Sequence, residues 1–209
     1  IIIQPDLSSA VMIMVAWMGI TWAAGVRWRH LALMGGSLLV SLPILWSSMA
    51  DYQRARISNF LNPAADPGAQ YNVNQALISI GSGGWFGAGY TQASQVQSRF
   101  LKVRHTDFIF SATAAEFGFV GVIVMLLALG LLILRILRVA RAASDPFGAY
   151  VCYGTATVIF VQAFMNVGMN LNLSPVTGLP LPLVSYGGSA LLATGVGLGL
   201  VQSVALHKN

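Results

Sequence analysis

Hydrophobic positions in this chain gather into long unbroken runs, rather than into the half-apolar stripe of a soluble helix or the alternation of a half-buried strand. A helix rises about 1.5 Å per residue, so roughly 20 apolar residues cross a hydrocarbon core of about 30 Å. Residues 7–26 form one such run and 31–50 a second, and Arg27-Trp28-Arg29-His30 between them predict a tight turn at a membrane face. A third run starts at Phe108 and holds Glu116 as its one charge as far as Leu134. It then continues at helical spacing through Arg135, Arg138 and Arg141 toward Asp145-Pro146, which predicts a helix projecting from the bilayer. From Pro146 to His207 there is no Asp, Glu, Lys or Arg, and Ser174-Pro175 with Gly178-Leu179-Pro180-Leu181-Pro182 divide that stretch in two. The pattern predicts an all-α polytopic membrane protein of about five transmembrane helices, at 7–26, 31–50, 108–136, 147–171 and 184–206, with one long extracytoplasmic loop, 51–107, bearing short interfacial helices.

Composition agrees with the pattern. The 209 residues are 56% hydrophobic and 8% charged, with mean hydropathy +0.72. A soluble domain carries roughly 25% charged residues, so this chain lacks the polar surface to cover a globule. One Cys rules out an internal disulfide framework, and the apolar runs rule out a disordered or collagenous chain. A net charge of +5 would point to nucleic acid in a soluble protein. Here Arg27, Arg29, Arg135, Arg138, Arg141 and Lys208 all fall on one side of the span count, and the positive-inside rule makes that side cytoplasmic. The basic residues are topology signals, and no nucleic-acid partner is expected. The start of the chain and the loops 51–107 and 172–183 then face outward. The opening Ile1-Ile2-Ile3-Gln4-Pro5-Asp6 offers neither a basic region nor a cleavage site, so it does not support a signal peptide, and the chain reads as a piece of a longer one.

A loop as long as 51–107 is usually functional or disordered. This one has the marks of order. Ile57, Phe60 and Leu61 fall on one helical face with Arg54 and Arg56 set away from it, the pattern of a helix lying in the interface or of an ordinary solvated loop helix. Residues 71–80 suit a second short helix, ended by the glycine-rich run 81–89, which suggests backbone brought close to a ligand or another segment. That run is no phosphate loop. It lacks a Gly-Lys-Ser/Thr ending, and Phe86 stands where a dinucleotide fingerprint needs its last Gly. The loop's basic residues, Arg54, Arg56, Arg99, Lys102 and Arg104, outnumber Asp51, Asp66 and Asp107, which suits an anionic headgroup or anionic membrane lipid.

Asp107 stands at the mouth of the third span. A carboxylate there either caps the helix, taking its orphan N–H groups, or serves as a base at the bilayer edge, and the local rules favour the cap. Glu116 lies about 13 Å further along a straight helix, where an acid faces the bundle interior with a partner. His105 has no companions at metal-ligand spacing and reads as a bonded loop residue. Gln162, Asn166 and Asn170 recur every four residues as a polar stripe, for interhelical bonding or a lined cavity, while Gly195 and Gly199 suit close helix packing.

Taken in order, several motifs carry a resemblance: Gln4-Pro5-Asp6, Tyr52-Gln53-Arg54-Ala55-Arg56, Asp66-Pro67-Gly68, Ile80-Gly81-Ser82-Gly83-Gly84, His105-Thr106-Asp107-Phe108-Ile109-Phe110-Ser111, Glu116-Phe117-Gly118, Asn166-Val167-Gly168-Met169 and Pro175–Pro182 followed by Ser185-Tyr186-Gly187-Gly188-Ser189. The set resembles the SEDS family of shape, elongation, division and sporulation proteins, the RodA/FtsW/SpoVE group, with the RodA members nearest in general appearance. The family has about ten spans, so the likeness covers its C-terminal half.

The resemblance implies a peptidoglycan glycosyltransferase that polymerises lipid II at the outer face of the bacterial cytoplasmic membrane, beside a class B penicillin-binding protein. It implies that Asp107 is the essential residue, which overtakes the cap reading. The mechanism it suggests has Asp107 deprotonating the acceptor sugar hydroxyl while undecaprenyl diphosphate departs, with Arg56 foremost and then Arg104 offsetting the diphosphate charge. Lys102, His105, Asp6 and Glu116 complete the expected substrate-binding set. Asp6 is also a candidate for a divalent ion, with Mg²⁺ or Mn²⁺ suited to phosphate chemistry, although no complete metal site is visible. Departures from the family pattern are Lys102 for the usual Pro, Ala115 for the first of two acids, and Ser8-Ser9 for Gly-Thr. A lipid II flippase and a noncatalytic scaffold for the penicillin-binding protein are the alternative functions.

Overall fold

The computed structural model describes residues 6–63, 67–90, 92 and 106–207. Among them the chain is helical without strands: α1 (Leu7–Ala23), α2 (Trp28–Ser48), α3 (Asp51–Leu61), α4 (Pro67–Gly83), α5 (Ile109–Arg141), α6 (Pro146–Asn170) and α7 (Gly188–Leu206). By length and composition α5, α6 and α7 can each cross a membrane, and α1 is a shorter apolar helix. The chain is an integral membrane protein.

Helix α6 is the axis of the assembly, with α1, α5 and α7 packed around it. Its start follows from local chemistry: Pro146 occupies the first turn, where no N–H is missed, and the Asp145 carboxylate accepts the Gly148 N–H at 3.0 Å. Cys152, Ala156 and Ile159 of α6 are buried against Ile136 and Ala140 of α5 and Val201 of α7. The outer faces of these helices are equally apolar, with Leu131 and Leu134 on α5, Phe160 and Phe164 on α6, and Leu192 and Val196 on α7 all exposed. Lipid tails are as apolar as leucine, so such faces need no protein cover.

Three details depart from the sequence pattern. The turn after α1 falls at residues 24–27, and Trp28, Arg29 and His30 already belong to α2. Basic residues there mark the membrane face, and the first turn of a helix tolerates them. Gly195 and Gly199 meet nothing within 4 Å; the close contact of α7 is Gly197, facing Thr155 of α6. Most consequentially, α5 is interrupted at Gly118, whose φ of 66° and ψ of −167° are not helical.

The glycine run after α4 explains this break. Ala88 and Gly89 donate to the carbonyls of Ala115 and Glu116 at 3.0 Å each, while Phe119 and Val120 donate to Gly84 and Trp85 at 2.9 and 3.1 Å. These four bonds satisfy backbone groups that the interruption releases, which would otherwise cost several kcal/mol each (about that order) in an apolar setting. The approach is possible because two glycines meet. A Cβ on Gly118 would run into the backbone of Gly87, and a Cβ on Gly87 into the carbonyl of Glu116. Both also have positive φ, which an L side chain resists. Gly83 likewise rests its open Cα on the Ala114 carbonyl.

Candidate functional site

Residues 106–108 form a turn leading into α5. Each of the three is fixed by a different neighbour. Phe108 is buried against Val73 and Ala76 of α4 and against Val176. The Thr106 carbonyl accepts the Ser185 hydroxyl at 2.7 Å, and Ser185 Oγ in turn accepts the Leu181 N–H at 2.8 Å. The Asp107 carbonyl accepts two side-chain amides, Asn166 Nδ2 at 3.1 Å and Asn170 Nδ2 at 3.0 Å.

Those two asparagines, both 0% exposed, are the polar stripe of α6. Asn166 Nδ2 also donates to the Leu179 carbonyl at 2.8 Å. Asn170 Oδ1 accepts the Ser111 hydroxyl at 2.6 Å and the Ser111 N–H at 3.3 Å. The third member, Gln162, reaches Met12 Sδ of α1 at 3.4 Å and takes no part here.

With its carbonyl held toward α6, Asp107 lines a cavity of about 180 Å³ between α3, α4 and the 172–176 segment. Arg56, Asn59, Gln70, Asn72, Asn172 and Ser174 are its other polar walls. Asn72 Oδ1 and Ser174 Oγ are buried without a hydrogen-bond partner among the described residues. Buried polar atoms are rarely left so, and their position on the wall gives a bound polar molecule one acceptor and one hydroxyl. Arg56, Pro175 and Val176 also line a neighbouring cavity of about 180 Å³ whose remaining walls include Val11, Ile57 and Met165. A polar chamber and an apolar one therefore share a guanidinium.

The placement of Arg56 differs from its expected position away from the apolar face of α3. Four residues separate it from Phe60, so both reach the same cavity, and its guanidinium lies 5.9 Å from the Tyr52 ring centroid. Arg54 is occupied elsewhere, donating to the Trp46 and Ser47 carbonyls at the end of α2 at 3.0 and 2.7 Å.

Asp107 and Arg56 are the expected site residues that the structure brings together. Asp6 instead caps α1, its carboxylate taking the Ser9 N–H at 3.0 Å and the Ser9 hydroxyl at 2.5 Å. The Ser9 hydroxyl and N–H hold its pKa below the ordinary carboxylate value; burial opposes this, and the Ser8 N–H and the charge of Arg56 add smaller contributions in the same direction. Glu116 contributes its carbonyl to the glycine contact, and its side chain does not line the Asp107 cavity. The 13 Å depth expected for it presumes one straight helix, whereas Gly118 gives residues 109–117 their own axis. Lys102, Arg104 and His105 lie outside the described residues. No three His, Cys, Asp or Glu side chains among the described residues converge to hold a metal ion.

Sequence reasoning missed Asn72, Ser174 and Asn59. Asn59 was findable, three residues from Arg56 on one helical face, whereas Asn72 and Ser174 join the site only through tertiary packing.

The comparisons with known proteins agree on one group. The model of the FtsW/RodA/SpoVE family, described as cell cycle protein, matches residues 1–209. The peptidoglycan glycosyltransferase MrdB of Escherichia coli is 42% identical over 98% of this chain and 56% of its own length. A probable peptidoglycan glycosyltransferase FtsW of Thioalkalivibrio sulfidiphilus is 38% identical over 98% of this chain and 52% of its own. Among solved structures, one from work on polymerization and crosslinking by a peptidoglycan synthase complex superposes with a TM-score of 0.79 at 35% identity, covering 99% of this chain and 57% of that one. The rod shape determining protein RodA of Thermus thermophilus superposes at 0.62, also at 35% identity, over 98% of this chain and 51% of its own. The chain spans about half the length of the curated relatives it matches.

Proposed function

Since the chain belongs to the FtsW/RodA/SpoVE family of cell cycle proteins, we propose that it supplies the acceptor-activating part of a peptidoglycan glycosyltransferase, which polymerises lipid II at the outer face of the bacterial cytoplasmic membrane. The observation that carries this reading is the shared cavity of Asp107 and Arg56, a base and a cation facing one polar chamber beside an apolar one. Asp107 takes the proton from the acceptor sugar 4-hydroxyl as that oxygen attacks the anomeric carbon of the growing strand. The new C–O bond forms with inversion, the bond from that carbon to the lipid diphosphate breaks, and the diphosphate leaves with the electron pair. Arg56 offsets the charge as it develops on the leaving group, where such help counts most.

The apolar cavity on the far side of Arg56 suits the first isoprene units of the lipid carrier, and Asn72 and Ser174 suit sugar hydroxyl or amide groups. No step is routed through a metal ion. A class B penicillin-binding protein is the proposed crosslinking partner, supported by the likeness to a chain from a peptidoglycan synthase complex.

The test is glycan formation from labelled lipid II by the full-length parent protein with its penicillin-binding partner, comparing native Asp107 with Asp107→Asn at equal folded yield. Polymer from the native protein and a loss of about 10³-fold or more in the variant is the expected result. Equal polymer from both removes Asp107 from the chemistry. Absence of polymer from both, with labelled lipid crossing vesicles, replaces transfer by transport.

A further inference from the structure

A carboxylate one position ahead of a helix N-cap lies within reach of the first orphan N–H groups of the helix, and it is drawn to them by hydrogen bonding and by the helix dipole. Asp107 occupies that position. The N-cap of α5 is Phe108, which has no side-chain oxygen to offer, and no side chain of its own turn caps the helix. The cap comes from another helix. Asn170 Oδ1 accepts the N–H of Ser111, the third residue of α5, which is the group an N-cap side chain ordinarily takes. The same oxygen also accepts the Ser111 hydroxyl. Meanwhile Asn170 Nδ2 donates to the Asp107 carbonyl and to the Asn166 carbonyl, at 3.0 and 2.8 Å.

We propose that Asn170 is a positioning residue for Asp107: by capping α5 from α6 and holding the Asp107 carbonyl inward, it keeps the Asp107 carboxylate out of the cap and in the cavity. One amide does both tasks because its two ends point at the two groups. A side chain that is only an acceptor would cap the helix and release the carbonyl, and one that is only a donor would do the reverse. Its full burial and its return bond to Asn166 fix the rotamer, so the amide orientation is set by four partners rather than by one. This rests on Asp107 acting as the base.

The experiment is steady-state glycan synthesis from labelled lipid II by the full-length protein with its penicillin-binding partner, for native, Asn170→Ala, Ser111→Ala and Asp107→Asn at equal folded yield. Asn170→Ala is expected to lower kcat about 30- to 100-fold, as a displacement near 1 Å does, with KM for lipid II within about threefold. Ser111→Ala leaves the donors to Asp107 in place but removes the short bond that seats Asn170, and a kcat loss of about three- to fivefold at constant KM is expected. A purely structural role would lower the thermal midpoint and folded yield without this separation of kcat from KM. Native kcat in a folded Asn170→Ala protein, or a loss that falls in KM, overturns the proposal. Should Asn170→Ala not fold, an unchanged kcat in Ser111→Ala overturns it. Native turnover by Asp107→Asn overturns the proposed function itself, an outcome read in a separate protein.

Discussion

The two ends of helix α5 are held by different physics. Its first twelve residues and the turn before them add to the burial of Phe108, Phe110 and Ala114 a set of directional bonds: two amides on one carbonyl, a serine bridge to the 181–185 segment, and four backbone bonds to the glycine run. Its last two turns are fixed by apolar contact, Ile136 and Ala140 against Cys152, Ala156 and Ile159. Hydrogen bonds set angle and distance, whereas apolar packing sets proximity and tolerates repacking. The directional end adjoins the Asp107 cavity, and the apolar end leads to the exposed Arg135, Arg138 and Arg141. A helix that must both insert and present a carboxylate divides those duties along its length.

That contrast can be broken most severely at the glycine contact. Gly118→Ala puts a methyl into the Gly87 backbone at a φ and ψ that L residues avoid, and a loss of about 4 kcal/mol or more is expected, seen as little folded protein on detergent size exclusion. Ile159→Ala, in the apolar half, is expected to cost about 3 kcal/mol of stability from the cavity it leaves. The rate per folded molecule should stay within about twofold there, since no bond near Asp107 changes. Asn166→Leu reverses that balance. It takes one donor from the Asp107 carbonyl and another from Leu179, for about 2 kcal/mol, and glycan synthesis should fall by more than the loss of folded protein explains. Equal effects of Ile159→Ala and Asn166→Leu on the rate per folded molecule would erase the distinction between the two ends.

The smallest expected effect lies at α1. The folded pKa of Asp6 is lowered, so its stabilising contribution is present above the ordinary carboxylate pKa of about 3.9 and is lost as pH falls through the lower folded value. Because the carboxylate is mostly exposed, solvent screening keeps this slight. Ser9→Ala should lower the neutral plateau of the thermal-midpoint profile slightly and leave its acid end unchanged, flattening the profile, since the Ser9 hydroxyl supplies the leading hydrogen bond and that stabilisation is already lost in acid.

Much of the helical plan was legible because apolar runs of membrane length have few other outcomes: residues 7–23, 28–48, 109–141, 146–170 and 188–206 are helical where the pattern expects spans. The turn after α1 was misplaced because charge marks a membrane face and not a helix end. Proximity of the glycine run to another segment was legible, but its partner was not, because a single Gly inside an apolar run reads as packing until a second strand of backbone is found against it. Asp107 illustrates the limit of local rules at the site. Spacing alone makes it a cap, and only the fold brings Asn170 to take that duty. Arg56 was legible by motif, whereas Asn72 and Ser174, a hundred residues apart in sequence by order of magnitude, became neighbours only through packing.

The meeting of Gly87 and Gly118 also bears on how this protein can change over time. Most contacts between side chains can drift, because enlargement on one side is compensated by reduction on the other. Here both partners already have the smallest possible residue, and each presses on main chain rather than on a side chain. No second substitution can restore the space that a first one takes. The pair is therefore an evolutionary dead end in both directions, and variation in this half of the molecule must be channelled around it.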